Sequence, residues 1–226
     1  MTETCHRMKR RPDNQKLFGR LLAGLTVATM LSAGSAATEK TAFIEPAPTT
    51  TGKLVGWLLV AMPRLRDPRF VKTVIFLTHH DDRGAMGLIV NRQIAVEPAS
   101  KLLERMVGKD QLVEASRGVR IHYGGPVQLS QGIFVHSNDY SGNGTVTVTD
   151  QVSLTSNHDI LRAMDKGKGP TKGFLAMGCA RWGPGQLENE ILRKDWVTVL
   201  FDDGLVFDDN MQSKWQRAMD KQIIDL

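Results

Sequence analysis

An α+β fold is the class this sequence predicts: a single domain on a largely antiparallel sheet curled toward a barrel, with three or four helices packed outside. Three observations carry the prediction. Short apolar, β-branched runs recur along the chain between Gly, Pro and Asp turns, which is the pattern of strands joined by tight connections. A few segments instead space their apolar residues at helical intervals. No internal repeat and no second boundary follows Gly52, so these elements share one core.

Taken in order, residues 54–61 form an apolar run between Gly52 and Pro63, too short for a buried helix and suited to a buried strand. Pro63 to Pro68 is a loop, because each proline lacks an N–H and restricts the residue before it. Residues 71–78 and 85–90 are β-branched runs around His79-His80-Asp81-Asp82-Arg83-Gly84, a hairpin pattern. A helix is predicted over 98–107, where Leu102, Leu103 and Met106 share one face. Strands follow at 119–122 and 132–137, with the Gly124-Gly125-Pro126 turn between them. In 145–149 apolar and polar residues alternate as in a strand with one wet face.

Ser156 and Asp159 resemble a capping box, and Ile160, Leu161 and Met164 supply the buried stripe of a helix that Gly167 and Gly169 stop. Residues 174–179 read as a strand, and Pro184 opens a helix to Leu192. Residues 196–201 and 205–207 form a predicted strand pair about Asp202-Asp203-Gly204. A last helix carries Met211, Trp215, Met219 and Ile223 at i, i+4 intervals.

The chain has 226 residues, 29 Lys and Arg against 24 Asp and Glu, and no apolar stretch as long as a membrane-spanning helix requires. Of its formal +5, residues 1–37 hold +4, so the remainder is nearly neutral and has no global field for phosphates. That leader has a basic region to Arg20, a modest apolar run from Leu21 and small residues up to Ala37. It reads either as a signal peptide cleaved after Ala37 or as an extension from a start assigned upstream of Met30. Residues 38–51 are a Pro/Thr-rich linker, and the domain occupies 52–226. With cysteines only at 5 and 179, export would leave no internal disulfide.

The segment from Gly178 through Cys179, Arg181, Trp182, Pro184, Gln186 and Glu188 to Glu190 is distinctive. Beside it stand Leu58 to Pro63, Asp67-Pro68, His80, Gly84 to Arg92, Gly124-Gly125-Pro126-Val127 and His136-Ser137. Together, from about Lys53 to Phe207, they resemble the YqgE/AlgH family. The resemblance implies a small bacterial, mostly cytosolic protein with a flattened β-barrel flanked by helices, of a family without an established biochemical activity. Some members carry the label of regulators of alginate synthesis. Gln93 and Arg181 stand where the family usually has Pro and Gly. The leader is also atypical, so export to the periplasm is the alternative to a cytoplasmic location.

Local chemistry assigns no catalytic residue, no cofactor and no metal set. His79 and His80 are strand neighbours that point to opposite faces, and Asp81-Asp82 lies in the turn, which opposes a metal site. His136 and Ser137 are adjacent, without the elbow of a hydrolase nucleophile. Cys179 is either a thiolate favoured by Arg181 or an inert buried thiol. Pro184 and the two glutamates argue against an anion site in the glycine-rich turn, and Glu188 and Glu190 do not face each other on a helix. The leading expectation is therefore a noncatalytic binding or regulatory domain with a protein or small-molecule partner, since Gly, Pro and Trp dominate its motifs. Its candidate polar patch is His80, Asn91, Arg92, His136, Gln186 and Glu188. The alternative is an enzyme or a ligand- or metal-binding protein using that same His/Asn/Glu set. Direct DNA binding has no basic recognition helix to support it.

Overall fold

The strands read as continuous apolar runs because the sheet is covered on both faces. In the computed structural model, which describes residues 54–107 and 118–222, the strands are β1 (Leu58–Ala61), β2 (Val74–Asp81), β3 (Gly84–Ile89), β4 (Gln93–Pro98) and β5 (Gly118–Tyr123). They continue as β6 (Val127–Ser137), β7 (Thr145–Thr147), β8 (Val152–Thr155), β9 (Gly173–Trp182) and β10 (Trp196–Val199). The helices are α1 (Ala99–Val107), α2 (Asp159–Asp165), α3 (Gln186–Leu192), α4 (Asp203–Phe207) and α5 (Met211–Asp220). The leader 1–37, the linker 38–51 and Ile223 lie outside the described residues.

The strands join in one curled sheet ordered β10-β1-β2-β3-β9-β6-β8-β7, with β5 branching from β9 and carrying β4. Every pairing is antiparallel except β5 with β9. Side chains alternate between two cores, as strand geometry requires. Leu58, Val60, Val74, Phe76, Leu88, Ile133 and Phe174 face one core, which Leu205, Val206 and Phe207 of α4 and Ala218 of α5 cover. Leu59, Ala61, Ile75, Leu77 and Ile89 face the other, which Trp182, Leu187 of α3 and Trp196 complete. Helices α1 and α2 bury Leu102, Leu103, Ile160 and Leu161 against Phe134 and Leu175.

Strand β9 belongs to both parts of the sheet. Leu175 to Met177 pair with β5 and β6, whereas Ala180 to Trp182 pair with β3. Between them Gly178 takes a φ of 72°. A Cβ there would lie 2.4 Å from the Gly125 carbonyl oxygen, and one on Gly125 would lie 2.2 Å from the Cys179 carbonyl carbon. Only glycine on both segments permits this approach and the left-handed backbone at Gly178.

Several elements differ from the sequence reading. The first strand starts at Leu58, because Leu54 to Gly56 form a turn in which the Trp57 N–H donates to the Leu54 carbonyl. Strand β6 reaches back to Val127, and strands β4 and β8 were not anticipated. Residues 205–207 are helical rather than half of a strand pair. Asp202 is the cap of α4, accepting from the Leu205 N–H at 2.8 Å, and β10 pairs with β1 instead. At α2 the Ser156 hydroxyl does not cap. Asn157 Oδ1 accepts from the Asp159 N–H at 2.8 Å, while Ile160, Leu161 and Met164 form the predicted buried stripe.

Helix α5 docks on a polar contact that the spacing of Met211, Trp215 and Met219 does not announce. Lys214 is fully buried; its Nζ donates to the carbonyls of Val206 (3.1 Å) and Val90 (3.4 Å) and lies 3.6 Å from Asp208. Burial lowers its pKa to about 8, the nearby Arg120 and Arg217 acting in the same direction and Asp208 opposing them. Trp215 Nε1 donates to the Ala61 carbonyl at 2.8 Å.

Next to this lysine, His122 is fully buried and stacked on Phe174 at 4.1 Å. Burial first, then Lys214 and Arg120, depress its pKa to about 3. Its unfolded form binds a proton below about pH 6.5 that the folded form refuses, so stability is lost as pH falls from 6.5 toward 3. Between these limits the wild type should lose stability more steeply than His122→Phe, by up to about 1.4 kcal/mol per pH unit. Urea unfolding of both proteins at a series of pH values measures the difference.

Candidate functional site

Helix α3 and the loop after β1 enclose a cleft of about 210 Å³ on the Trp182 face of the sheet. The helix is held there by Leu187, 1% exposed in the core that contains Trp182 and Trp196. Those two indoles meet edge to face at 6.1 Å, and Phe70 meets Trp196 likewise at 5.7 Å. A buried indole N–H needs an acceptor. Both find the same one: Trp182 Nε1 and Trp196 Nε1 donate to Glu190 Oε2 at 2.9 and 2.8 Å. Gln186 Nε2 donates to Glu190 Oε1 at 2.9 Å, and Gln186 Oε1 accepts from the Gly183 N–H.

The mouth of the cleft carries ion pairs. Asp67 accepts from Arg69 Nη2 at 2.6 Å and Nε at 3.0 Å, and that guanidinium holds the Asp67 carboxyl below the usual carboxylate range. Asp195 pairs with Arg193 at 3.0 Å and Arg64 at 3.3 Å.

Of the six predicted patch residues Gln186 lines this cleft, His80, Asn91, Arg92 and Glu188 bond to elements around it, and His136 lies elsewhere. His80 Nε2 lies 2.6 Å from Glu188 Oε1, linking β2 to α3; the imidazole is buried and its Nδ1 meets no partner among the described residues, while the carboxylate is half exposed. Gln186 orients Glu190. Asn91 and Arg92 fasten the loop that brings Phe70 and Arg69 to the cleft. Asn91 Oδ1 accepts from the Val74 N–H at 2.9 Å and its Nδ2 donates to the Lys72 carbonyl at 2.8 Å. The Arg92 guanidinium donates to the carbonyls of Pro68, Arg69 and Val71. His136 is fully buried elsewhere, on the β6–β8 pair, with Nδ1 on the Ser137 carbonyl and Nε2 on the Thr155 hydroxyl, both at 2.8 Å. Burial lowers its pKa.

Cys179 is fully buried, and burial pushes its thiol up despite the opposing effect of Arg181. Among the described residues no three of His, Cys, Asp and Glu converge as a metal site. A wider cleft of about 370 Å³ lies beside Arg120, Lys172 and Phe207, but its cations are ion-paired with Asp209 and Asp203.

Sequence reasoning left Trp196 and Phe70 out of the patch and set Glu190 aside as a capping or surface residue. The available signal was the demand of an indole N–H at Trp182 and Trp196 for an acceptor, with Glu190 between them in the chain.

The site thus belongs to a curled-sheet α+β domain whose cleft is built by a strand, a glycine-rich turn and a short helix. Residues 58–226 match the family described as AlgH-like (DUF179), and the chain belongs to that family. It is 39% identical over 168 residues to a UPF0301 protein of Rhizobium leguminosarum bv. trifolii, covering 73% of this chain and 84% of the relative. It is 42% identical over 170 residues to a UPF0301 protein of Caulobacter vibrioides, covering 74% and 86%. The solution structure of AlgH from Pseudomonas aeruginosa is similar at TM-score 0.65 and 30% identity, over 77% of this chain and 92% of that one. A crystal structure from Corynebacterium diphtheriae shares the fold at TM-score 0.59 and 20% identity, over 81% of this chain and 91% of that one.

Replacing Glu190 with Ala removes the acceptor of the Trp182 and Trp196 indole N–H groups, whose residues are 6% and 2% exposed. Glu190→Ala should cost about 2–4 kcal/mol and Glu190→Gln, which keeps an acceptor oxygen, about 1 kcal/mol. Denaturant unfolding checks both.

Proposed function

We propose that this is a noncatalytic binding domain whose ligand occupies the cleft beneath α3. One observation carries the reading: the cleft combines aromatic walls with a few oriented polar groups, while no Ser, Thr, Cys, Lys or His side chain is among the residues that line it. Asp67 and Asp195 are paired with guanidiniums, and Glu190 is held in place by three neutral donors, so these carboxylates set shape and polarity rather than relay protons. The near-neutral domain offers no field for direct DNA binding. A regulatory role would then run through the ligand or a protein partner.

The pair of His80 with Glu188 supports a second reading, an enzyme using acid–base chemistry, since the imidazole has a carboxylate at 2.6 Å. The two readings separate in one experiment. A library of small cationic, anionic and neutral fragments is titrated into the full chain and followed by ¹⁵N–¹H spectra. Fragments collecting at the Trp182 and Trp196 indole signals, unaffected by His80→Gln, are the expected result; perturbations confined to His80 and Glu188 would favour the enzyme.

We read the compartment as cytoplasmic on family membership, with export after cleavage near Ala37 as the alternative. Among the described residues no helix is long and apolar enough to cross a membrane. Mass spectrometry of the N-terminus from fractionated cells should find a cytosolic chain beginning at or before Met30, and a periplasmic chain beginning near Thr38 would reverse the assignment.

A further inference from the structure

The cleft holds charges of both signs, and asking which of them are already neutralised identifies what it lacks. Arg69 is chelated by Asp67, and Arg193 shares Asp195 with Arg64. Arg181 is adjacent to Trp182 on β9, and successive strand residues project to opposite faces. Ala180 and Trp182 belong to the core on the cleft side, whereas Arg181, which also borders the cleft, donates to the neutral Gln128 carboxamide at 3.2 Å. Arg69 and Arg193 are thus each engaged by a carboxylate, and Arg181 by an amide.

Glu190 is different. It is partly buried, and every hydrogen bond it accepts comes from a neutral donor: the indoles of Trp182 and Trp196 on Oε2 and the Gln186 amide on Oε1. No ion pair satisfies it among the described residues, although partly buried carboxylates ordinarily acquire a cation. Its Oε1 accepts one bond where a carboxylate oxygen has room for two. The two indoles and the Gln186 amide fix the carboxylate in place, so a ligand meets it without a further ordering cost. Phe70, Trp182 and Trp196 beside it give an organic cation aromatic surroundings.

We propose that Glu190 is the anchor of a small organic cation, a primary ammonium or guanidinium on a short apolar stem. The volume of about 210 Å³ admits a head group and a few carbons, and is below the ~300–1,000 Å³ of drug-sized sites. The same chemistry could arrive as a free amine or as the end of a Lys or Arg side chain from a partner protein. This inference rests on the cleft being the binding site.

The test uses the full chain, with the Trp182 and Trp196 indole N–H signals assigned through Trp→Phe variants. Butylammonium and propylguanidinium are titrated against two shape-matched controls, neutral butyramide and anionic butyrate. L-Arginine and the peptide acetyl-Gly-Arg-Gly-amide then separate a free ligand from a partner side chain. Saturable shifts by the cations, absent or about tenfold weaker with the controls and in Glu190→Gln, are expected. Equal binding of butyramide or butyrate, or unchanged affinity in Glu190→Gln, would overturn the cation assignment while leaving the cleft as a binding site. Fragments that never reach the cleft at all would overturn the binding-domain reading together with it. The comparison of charged and neutral isosteres on the wild type stands even if Glu190→Gln fails to fold.

Discussion

One strand serving two parts of a sheet is the constraint on which the architecture depends. Strand β9 pairs with β5 and β6 along its first half and with β3 along its second, and it changes direction at Gly178. The bend brings its backbone against Gly124-Gly125, where side chains on Gly178 or Gly125 would collide with carbonyl groups. Without it the sheet could not curl around the core capped by α4 and α5. Nor would Trp182 lie on the outer face, ready for the turn into α3.

The cleft follows from that placement. Because Leu187 is driven into the outer core, α3 lies across the sheet with Glu190 over the two tryptophans and Glu188 over His80. The indoles bury large apolar area yet each retains one obligatory donor, and a single carboxylate oxygen satisfies both. On the other side of the cleft the loop carrying Phe70 has little core of its own. It is tied down by Asn91 and Arg92 through backbone carbonyls and one backbone N–H, so these two residues position the wall without entering the cleft.

Buried titratable groups are concentrated at the other core. His122 avoids the cost of desolvation by staying neutral, and Lys214 offsets part of it by donating to the carbonyls of Val90 and Val206. An apolar residue there would remove that donor from both carbonyls. The lysine therefore belongs to the docking of α5, which explains why the most buried residues of that helix are Lys214 and Ala218 rather than the Met211–Trp215–Met219 stripe.

Most strands and helices were legible in the sequence because their signals are local: β-branched runs between turn residues, the Ile160-Leu161-Met164 stripe, the hairpin around Asp81 and Gly84. Residues 205–207 misled because Leu-Val-Phe suits a strand, and only the Asp202 side chain closing on the Leu205 N–H decides for a helix. Strand β4 was obscured because it is an edge strand with Ile94 and Val96 exposed, so burial imposes no clear pattern on it. In the candidate site, the sequence by itself determined that a glycine-rich turn would lead from a strand into a helix bearing Gln186, Glu188 and Glu190. Tertiary structure alone decided that Trp196 and Phe70 join them and that His136 does not. Those contacts link segments distant along the chain, and their geometry is set by packing across the sheet rather than by any local propensity.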